Sequence, residues 1–298
     1  VLRMGESDPQ LPKPELHAAE REDRRWRGRD RDGGPGQENL EAETPEPGPY
    51  LQSLHLKRYA GGLAQLERRG LAYQCFCTRK ELRSMAGAPQ AGDAAEGVYT
   101  GRCRGFAPEE RAAWLAQGRA FSWRLRFQEN LRPEFLRFRD LVYGEIELKP
   151  EKAGGDFAIC RSDGVYAYQL AVVLDDIAMG VTQVARGVDI LASTPRQLFL
   201  YDLFGAEPPE YAHVPLVLDH EGERLAKRHA SISLRGLREA GVKPRAIIGW
   251  LAKWSGLHES AGLCSPADLL PGFSFSNIRK EPDLLPPNMA EVLKSLSG

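Results

Sequence analysis

The sequence predicts an α/β fold built in layers, and three stretches between residues 155 and 228 carry that expectation. An apolar run from Ala167 to Met179, stopped by Gly180, is long enough for a buried helix. Val181 to Ala185 is apolar and β-branched, as a short interior strand would be. Ser193-Thr194-Pro195 supplies a capping hydroxyl and a first-turn proline for a second helix. Two polar residues stand out against this background: Tyr168 inside the apolar run and Arg186 at the end of the strand. Open α/β sheets bind ligands at the carboxyl ends of their strands, and an arginine fork suits a carboxylate or phosphate. Pairing of Arg186 with Asp175, Asp176 or Asp189 for structure alone is the competing reading from spacing.

The totals narrow the function classes. A chain of 298 residues can bury a substantial core as one large or two smaller domains. Forty Lys and Arg against 41 Asp and Glu leave a net charge of -1, so nucleic-acid contact would need a local basic patch. No apolar run reaches the length of a membrane span, and the first residues lack the charged-then-apolar order of a signal peptide. Five cysteines without a dense framework fit a reduced, cytoplasmic protein.

In chain order, Val1 to Met4 reads as the end of a strand. Residues 17–49 are dense in charge, Gly and Pro and hold too little apolar surface to offset the entropy of ordering, so a solvated or disordered segment is expected. From Ser53 a helix carries Leu56, Tyr59, Leu63 and Leu66 on one stripe and closes at Gly70. Leu71 to Cys77 is a short strand, and Thr78 with Glu81 forms a capping box for the next helix. A capped helix spans Pro108 to Gly118. Phe121, Trp123, Leu125 and Phe127 then alternate with Ser122, Arg124 and Arg126 in a half-exposed strand. Phe138 to Leu148 is a hairpin, and Ser162-Asp163-Gly164 turns a second one that delivers the chain to Tyr168. Ala212 to Leu218 is a strand in which Pro215 marks an edge or a break. Leu234 to Ala240 and Pro244 to Gly256 are helices, and a last helix starts near Asn288.

Cys75, Cys77 and Cys103 form the one cysteine constellation with metal-ligand spacing. Thiolates two apart on a strand-to-helix turn can converge on a zinc ion, but tetrahedral closure needs a fourth ligand that spacing alone does not name. Three unrelated buried thiols are the alternative. Cys160 and Cys264 read as core cysteines.

Three stretches together resemble a known family. Tyr168-Gln-Leu-Ala-Val-Val-Leu-Asp-Asp, Arg186-Gly-Val-Asp-Ile-Leu-Ala-Ser-Thr-Pro-Arg-Gln, and Arg224-Leu-Ala-Lys227-Arg228 are similar to the catalytic domain of the glutamyl-tRNA synthetases. The Tyr-Gln-Leu beginning at Tyr168 is closer still to their short paralogues, the glutamyl-queuosine tRNA(Asp) synthetases. That resemblance implies a class I aminoacyl-tRNA synthetase, Rossmann-like catalytic domain, N-terminally incomplete. It implies a first partial half over residues 1–74, a zinc-bearing acceptor-end insertion over 75–154, a second half with the phosphate loop over 155–233, and a small helical subdomain over 234–298. It assigns Tyr168 and Arg186 to glutamate, and Lys227 to ATP as the catalytic cation, with Arg224 and Arg228 as helpers. It also supplies Tyr99, four residues before Cys103, as the fourth ligand of one structural Zn2+ beside Cys75, Cys77 and Cys103.

The implied activity is ATP-dependent formation of glutamyl-adenylate, with Mg2+, and transfer of glutamate to queuosine in tRNA(Asp) by a monomer that does not enter a membrane. Two departures keep alternatives open. Gly5 stands where the family has an acid that binds the substrate amino group, with Glu6 one position away, and no histidine lies in a His-x-Gly-His signature. A chain short of its opening βα unit is the expected reason. A fragment of a tRNA(Glu)-charging synthetase, or a non-catalytic remnant that binds zinc and tRNA, are the other readings.

Overall fold

The computed structural model describes residues 22–23, 26, 51–78, 80–82, 99, 101–225, 233–259 and 261–297. The helices are α1 (Leu56–Arg68), α2 (Pro108–Ala116), α3 (Pro150–Ala153), α4 (Tyr168–Ala178), α5 (Thr194–Phe204), α6 (Leu234–Glu239), α7 (Pro244–Trp254), α8 (Pro266–Leu269) and α9 (Met289–Ser297). The strands are β1 (Ala72–Cys75), β2 (Ser122–Leu125), β3 (Arg137–Asp140), β4 (Gly144–Glu147), β5 (Ala158–Cys160), β6 (Gln183–Gly187), β7 (Glu210–Val214), β8 (Val217–Leu218) and β9 (Asp283–Leu284).

The sheet that positions the site runs β4-β3-β7-β6. β3, β7 and β6 are mutually parallel, and β4 closes an antiparallel hairpin with β3. Parallel pairing follows from the crossover through α5, which returns the chain to the same end of the sheet before β7 begins. Among the described residues β6 is paired on one side only, and its residues are exposed or half-buried. It is therefore not the interior strand its β-branched composition suggested. Pro215 falls between β7 and β8 and breaks the ladder there, because it has no N–H to donate.

A second, antiparallel sheet of order β1-β2-β5 lies beside a large apolar cluster. Tyr59 and Leu66 of α1, Leu170, Ala171 and Val173 of α4, and Phe199, Leu200 and Tyr201 of α5 are almost wholly buried there. α1 starts three residues later than expected, after a 3-10 turn over Gln52–His55, and this leaves Leu56 at 44% exposure, off the buried stripe. The apolar run of α4 ends at Gly180, whose φ of 60° suits a residue without a Cβ.

α6, α7 and α9 bury Leu237, Val242, Ile247, Met289 and Leu293 in a separate cluster. The expectation of disorder over 17–49 falls almost wholly outside the described residues. The three described there correct it locally: Glu22, Asp23 and Trp26 are helical. Glu22 and Asp23 pair with Arg238, and Trp26 packs on the apolar cluster. An indole set among charges gives that short piece an anchor that composition averages away.

Candidate functional site

Arg186 sits next to last in β6 and is in register with His213, next to last in β7; Asp140 ends β3. Three parallel strands thus present an arginine, a histidine and an aspartate at one end of the sheet, the end where such sheets receive ligands. Arg186 Nε donates to His213 Nε2 at 2.8 Å. Nη1 donates to Gln197 Oε1 at 2.6 Å, and Nη2 to Thr194 Oγ1 at 2.8 Å. The guanidinium lies 4.6 Å over the ring of Tyr211. A guanidinium has five N–H donors, and among the described residues these bonds occupy three of them, with one N–H on each terminal nitrogen beyond them.

Of the three acids in the competing reading, two have other partners, while Asp176 is buried close to the Tyr211 ring that Arg186 covers. Asp175 is fully buried and accepts instead from Gln52, Arg58 and Tyr59 at 3.0, 2.8 and 2.7 Å. Asp189 takes Arg224. Thr194 supplies no cap to α5, and the preceding Ser193 makes no side-chain capping bond either; the Thr194 hydroxyl is turned to Arg186.

His213 Nδ1 lies 2.7 Å from Asp140 Oδ2, and neither side chain has solvent access. Oδ2 also accepts the His213 backbone N–H at 3.0 Å, while Oδ1 accepts the backbone N–H groups of Val142 and Tyr143 at 2.9 and 2.8 Å. Burial pushes the imidazole below its ordinary range and the hydrogen bond to Asp140 opposes this; the balance is downward, so His213 is neutral.

Tyr168 opens α4 and is 52% exposed, so it lies at the rim of the apolar run and not inside it. The helix places every residue from Leu170 through Asp176 in the core and keeps its first side chain at the surface. Burial raises the Tyr211 phenol, Arg186 opposes the shift, and Asp176 and Tyr168 add to it, which puts Tyr168 and Arg186 within electrostatic reach of one ring. Lys227 and Arg228 lie outside the described residues, as do Gly5 and Glu6.

The cysteine constellation converges. The ligand atoms of Cys75, Cys77 and Cys103 all lie within 4.8 Å of one another. Cys77 and Cys103 Sγ are 3.6 Å apart, and Tyr99 Oη is 3.4 Å from Cys75 Sγ and 3.9 Å from Cys77 Sγ. A tetrahedral zinc with sulfur at ~2.3 Å would separate its ligand atoms by about 3.5–3.8 Å, so four atoms already stand near the corners of such a site. Tyr99 is 3% exposed, and its oxygen accepts the Cys103 backbone N–H at 2.8 Å, which aims it at the sulfurs. The Cys75 thiol is lowered to about 5, chiefly by a hydrogen bond from Cys103 and against burial. Its partners Cys77 and Cys103 are pushed up, as expected where one thiolate is shared among three sulfurs.

Arg124 departs from the expected half-exposed pattern of β2. It is 2% exposed, stacks 4.4 Å over the Tyr99 ring, and donates to the Asp156 carbonyl at 2.9 Å. The Tyr99 ring covers Arg124 from that face, so the alternation expected for a strand open on one side fails there. The capping box of Thr78 and Glu81 is present, with Glu81 N–H donating to Thr78 Oγ1 at 3.2 Å and Thr78 N–H to Glu81 at 2.8 Å.

Asp140, His213, Thr194 and Gln197 escaped the sequence reading. The one available signal was His213, a lone imidazole in the otherwise apolar stretch Tyr211-Ala-His-Val214.

Among the described residues no helix is long and apolar enough to cross a membrane. The glutamyl-Q tRNA(Asp) synthetase of Nitratidesulfovibrio vulgaris is 45% identical over 99% of this chain and 87% of its own length. That of Symbiobacterium thermophilum is 42% identical over 100% and 88%. A crystal structure of a glutamate tRNA ligase from Elizabethkingia meningosepticum, in complex with its amino acid, superposes with a TM-score of 0.75 at 24% identity. It covers 98% of this chain, which spans only 61% of that ligase, and the likeness speaks for the fold. The family described as tRNA synthetases class I (E and Q), catalytic domain, matches residues 1–265, and with the sheet and its polar end as found, this chain belongs to that family.

Proposed function

We propose that this chain activates glutamate with ATP and passes the glutamyl group to the queuosine base of tRNA(Asp). The observation that carries the reading is Arg186, fixed by three neighbours at the carboxyl end of β6 with two donors to spare among the described residues. Arg186 and Tyr168 hold glutamate, the first through a carboxylate. A glutamate carboxylate oxygen attacks the α-phosphate of ATP, forming the acyl-phosphate bond as pyrophosphate leaves. Lys227 follows the charge that builds on the phosphoryl oxygens and on pyrophosphate, with Mg2+ sharing that charge. A queuosine hydroxyl then attacks the acyl carbon, AMP departs, and an ester results.

Over nearly the whole chain, two glutamyl-Q tRNA(Asp) synthetases are 45% and 42% identical and two glutamate–tRNA ligases 36% and 34%, while two further ligases reach 40% over 70% of the chain; the whole-chain similarity favours tRNA(Asp) over tRNA(Glu). Cys75, Cys77, Tyr99 and Cys103 would hold one Zn2+, which supplies a structural clasp with no open position for chemistry.

Glutamate-dependent ATP–pyrophosphate exchange, followed by transfer of labelled glutamate to tRNA(Asp) with and without queuosine, tests the reading. Exchange with transfer only to the queuosine-bearing tRNA is expected. Transfer to tRNA(Glu) would move the chain to the charging enzymes, and absence of exchange would make it non-catalytic.

A further inference from the structure

We propose that Asp140 and His213 are positioning residues that act through Arg186: a buried carboxylate fixes the imidazole tautomer, and the imidazole lone pair aims the guanidinium at the substrate carboxylate. The proposal rests on the reading of Arg186 as the glutamate anchor and adds a dependence that reading does not contain.

The hydrogen-bond directions leave one arrangement. Arg186 has donors only, so His213 Nε2, at 2.8 Å from Nε, must accept and carries no proton. A neutral imidazole then has its proton on Nδ1, which faces Asp140 Oδ2 at 2.7 Å. Asp140 cannot turn away, since its two oxygens accept three backbone N–H groups, from Val142, Tyr143 and His213. The chain of contacts crosses three parallel strands and ends at a cation that, among the described residues, has donors to spare. A structural salt bridge would need no histidine between its charges. Here the intervening imidazole keeps the carboxylate from neutralising the guanidinium directly, so the positive charge stays available to a ligand.

Protonation of His213 would replace the acceptor with an N–H aimed at Arg186 and set two cations against each other. The groups facing the imidazole are Asp140 on β3, Arg186 on β6, Asp189 in the turn after β6, and the stacked ring of Tyr211 on β7. Because burial holds His213 below its usual range, glutamate affinity should stay flat near neutral pH and fall only once the pH is low enough to protonate the imidazole.

The test measures glutamate and ATP Kd by calorimetry from pH 5 to 8, beside imidazole 15N shifts of the free protein. The free chain should show His213 protonated on Nδ1. His213→Leu should weaken glutamate about tenfold, the loss of one hydrogen bond to a charged group, with ATP Kd unchanged. His213→Gln, whose amide oxygen can take the place of Nε2, should recover most of that loss and abolish the pH dependence. Asp140→Asn puts an NH2 where Oδ2 stood, so the proton should move to Nε2 and glutamate affinity fall as in His213→Leu. An Nε2–H tautomer in the unmodified chain would overturn the proposal without any variant, and so would a glutamate Kd that stays constant over a pH range in which the 15N shifts show His213 taking its second proton. Arg186→Ala serves as the separate control: retained glutamate affinity there would sink the anchor reading itself, and the proposal with it.

Discussion

The Cys75–Cys77–Cys103 cluster, a clasp able to take a metal, and the Arg186 end of the sheet are both clusters of polar side chains set among apolar residues, yet they are built in opposite ways. The clasp draws four side chains from residues 75–103, carried by a strand, a turn and one loop. The other joins Asp140, Arg186, Thr194, Gln197 and His213, which meet only because β3, β7 and β6 lie side by side. A locally encoded cluster can form wherever its own short segment folds. A cluster spread over parallel strands exists only once the sheet is complete. The first kind suits a brace. The second makes ligand binding depend on the whole sheet being in register, since a one-residue slip would turn Arg186 to the other face.

The largest effect expected is at Arg186. Arg186→Ala should weaken glutamate by roughly 100-fold or more, the loss of two charge-assisted hydrogen bonds, measured as KM for glutamate in pyrophosphate exchange. Arg186→Lys should recover little, because a point charge does not replace the fork. A change under about threefold would erase the functional side of the contrast.

Next comes Cys103→Ser. Elemental analysis should show one zinc per chain falling to near zero, with Tm dropping by roughly 2–4 °C for each kcal/mol of lost metal-binding energy. Glutamate Kd should hold. Loss of glutamate affinity in step with zinc would show that the two regions are coupled, and bound zinc in the variant would remove Cys103 from the site.

A smaller effect isolates structural charge from functional charge. Asp175 is a buried carboxylate with three side-chain donors, none of them Arg186. Asp175→Asn should cost about 2–3 kcal/mol in urea unfolding while leaving glutamate KM within twofold, roughly the scale of one weakened buried network. A KM change as large as that of Arg186→Ala would mean the buried pair belongs to the site after all. The smallest effect is at the surface. Arg238→Ala, which removes the partner of Glu22 and Asp23, should lower stability by less than about 1 kcal/mol.

Much of the fold was legible because its signals are local. The run that became α4, the glycine that ended it, the proline that broke the ladder after β7, and the capping box at Thr78 all act within a few residues. The cysteines were legible as a set for the same reason, although spacing alone left the fourth ligand open and resemblance supplied Tyr99. The failures have the opposite character. Arg124 sits on the polar face of β2, and the Tyr99 ring over it and the Asp156 carbonyl it binds, both remote in sequence, make that position interior. Tyr168 belongs to an apolar run by sequence but stands at its rim, because helix α4 starts with it. Thr194 looked like a cap, and the arrival of Arg186 gave its hydroxyl a different partner.

By itself the amino-acid sequence determined most of the elements, their punctuation and the place of an arginine at a strand end, since each depends on backbone preferences and side-chain chemistry over a few residues. Only the tertiary structure decided what holds that arginine. Asp140 and His213 are separated by 73 residues of chain, and no periodicity or spacing connects them. They meet because hydrogen bonds between neighbouring parallel strands bring residues remote in sequence to the same end of one sheet.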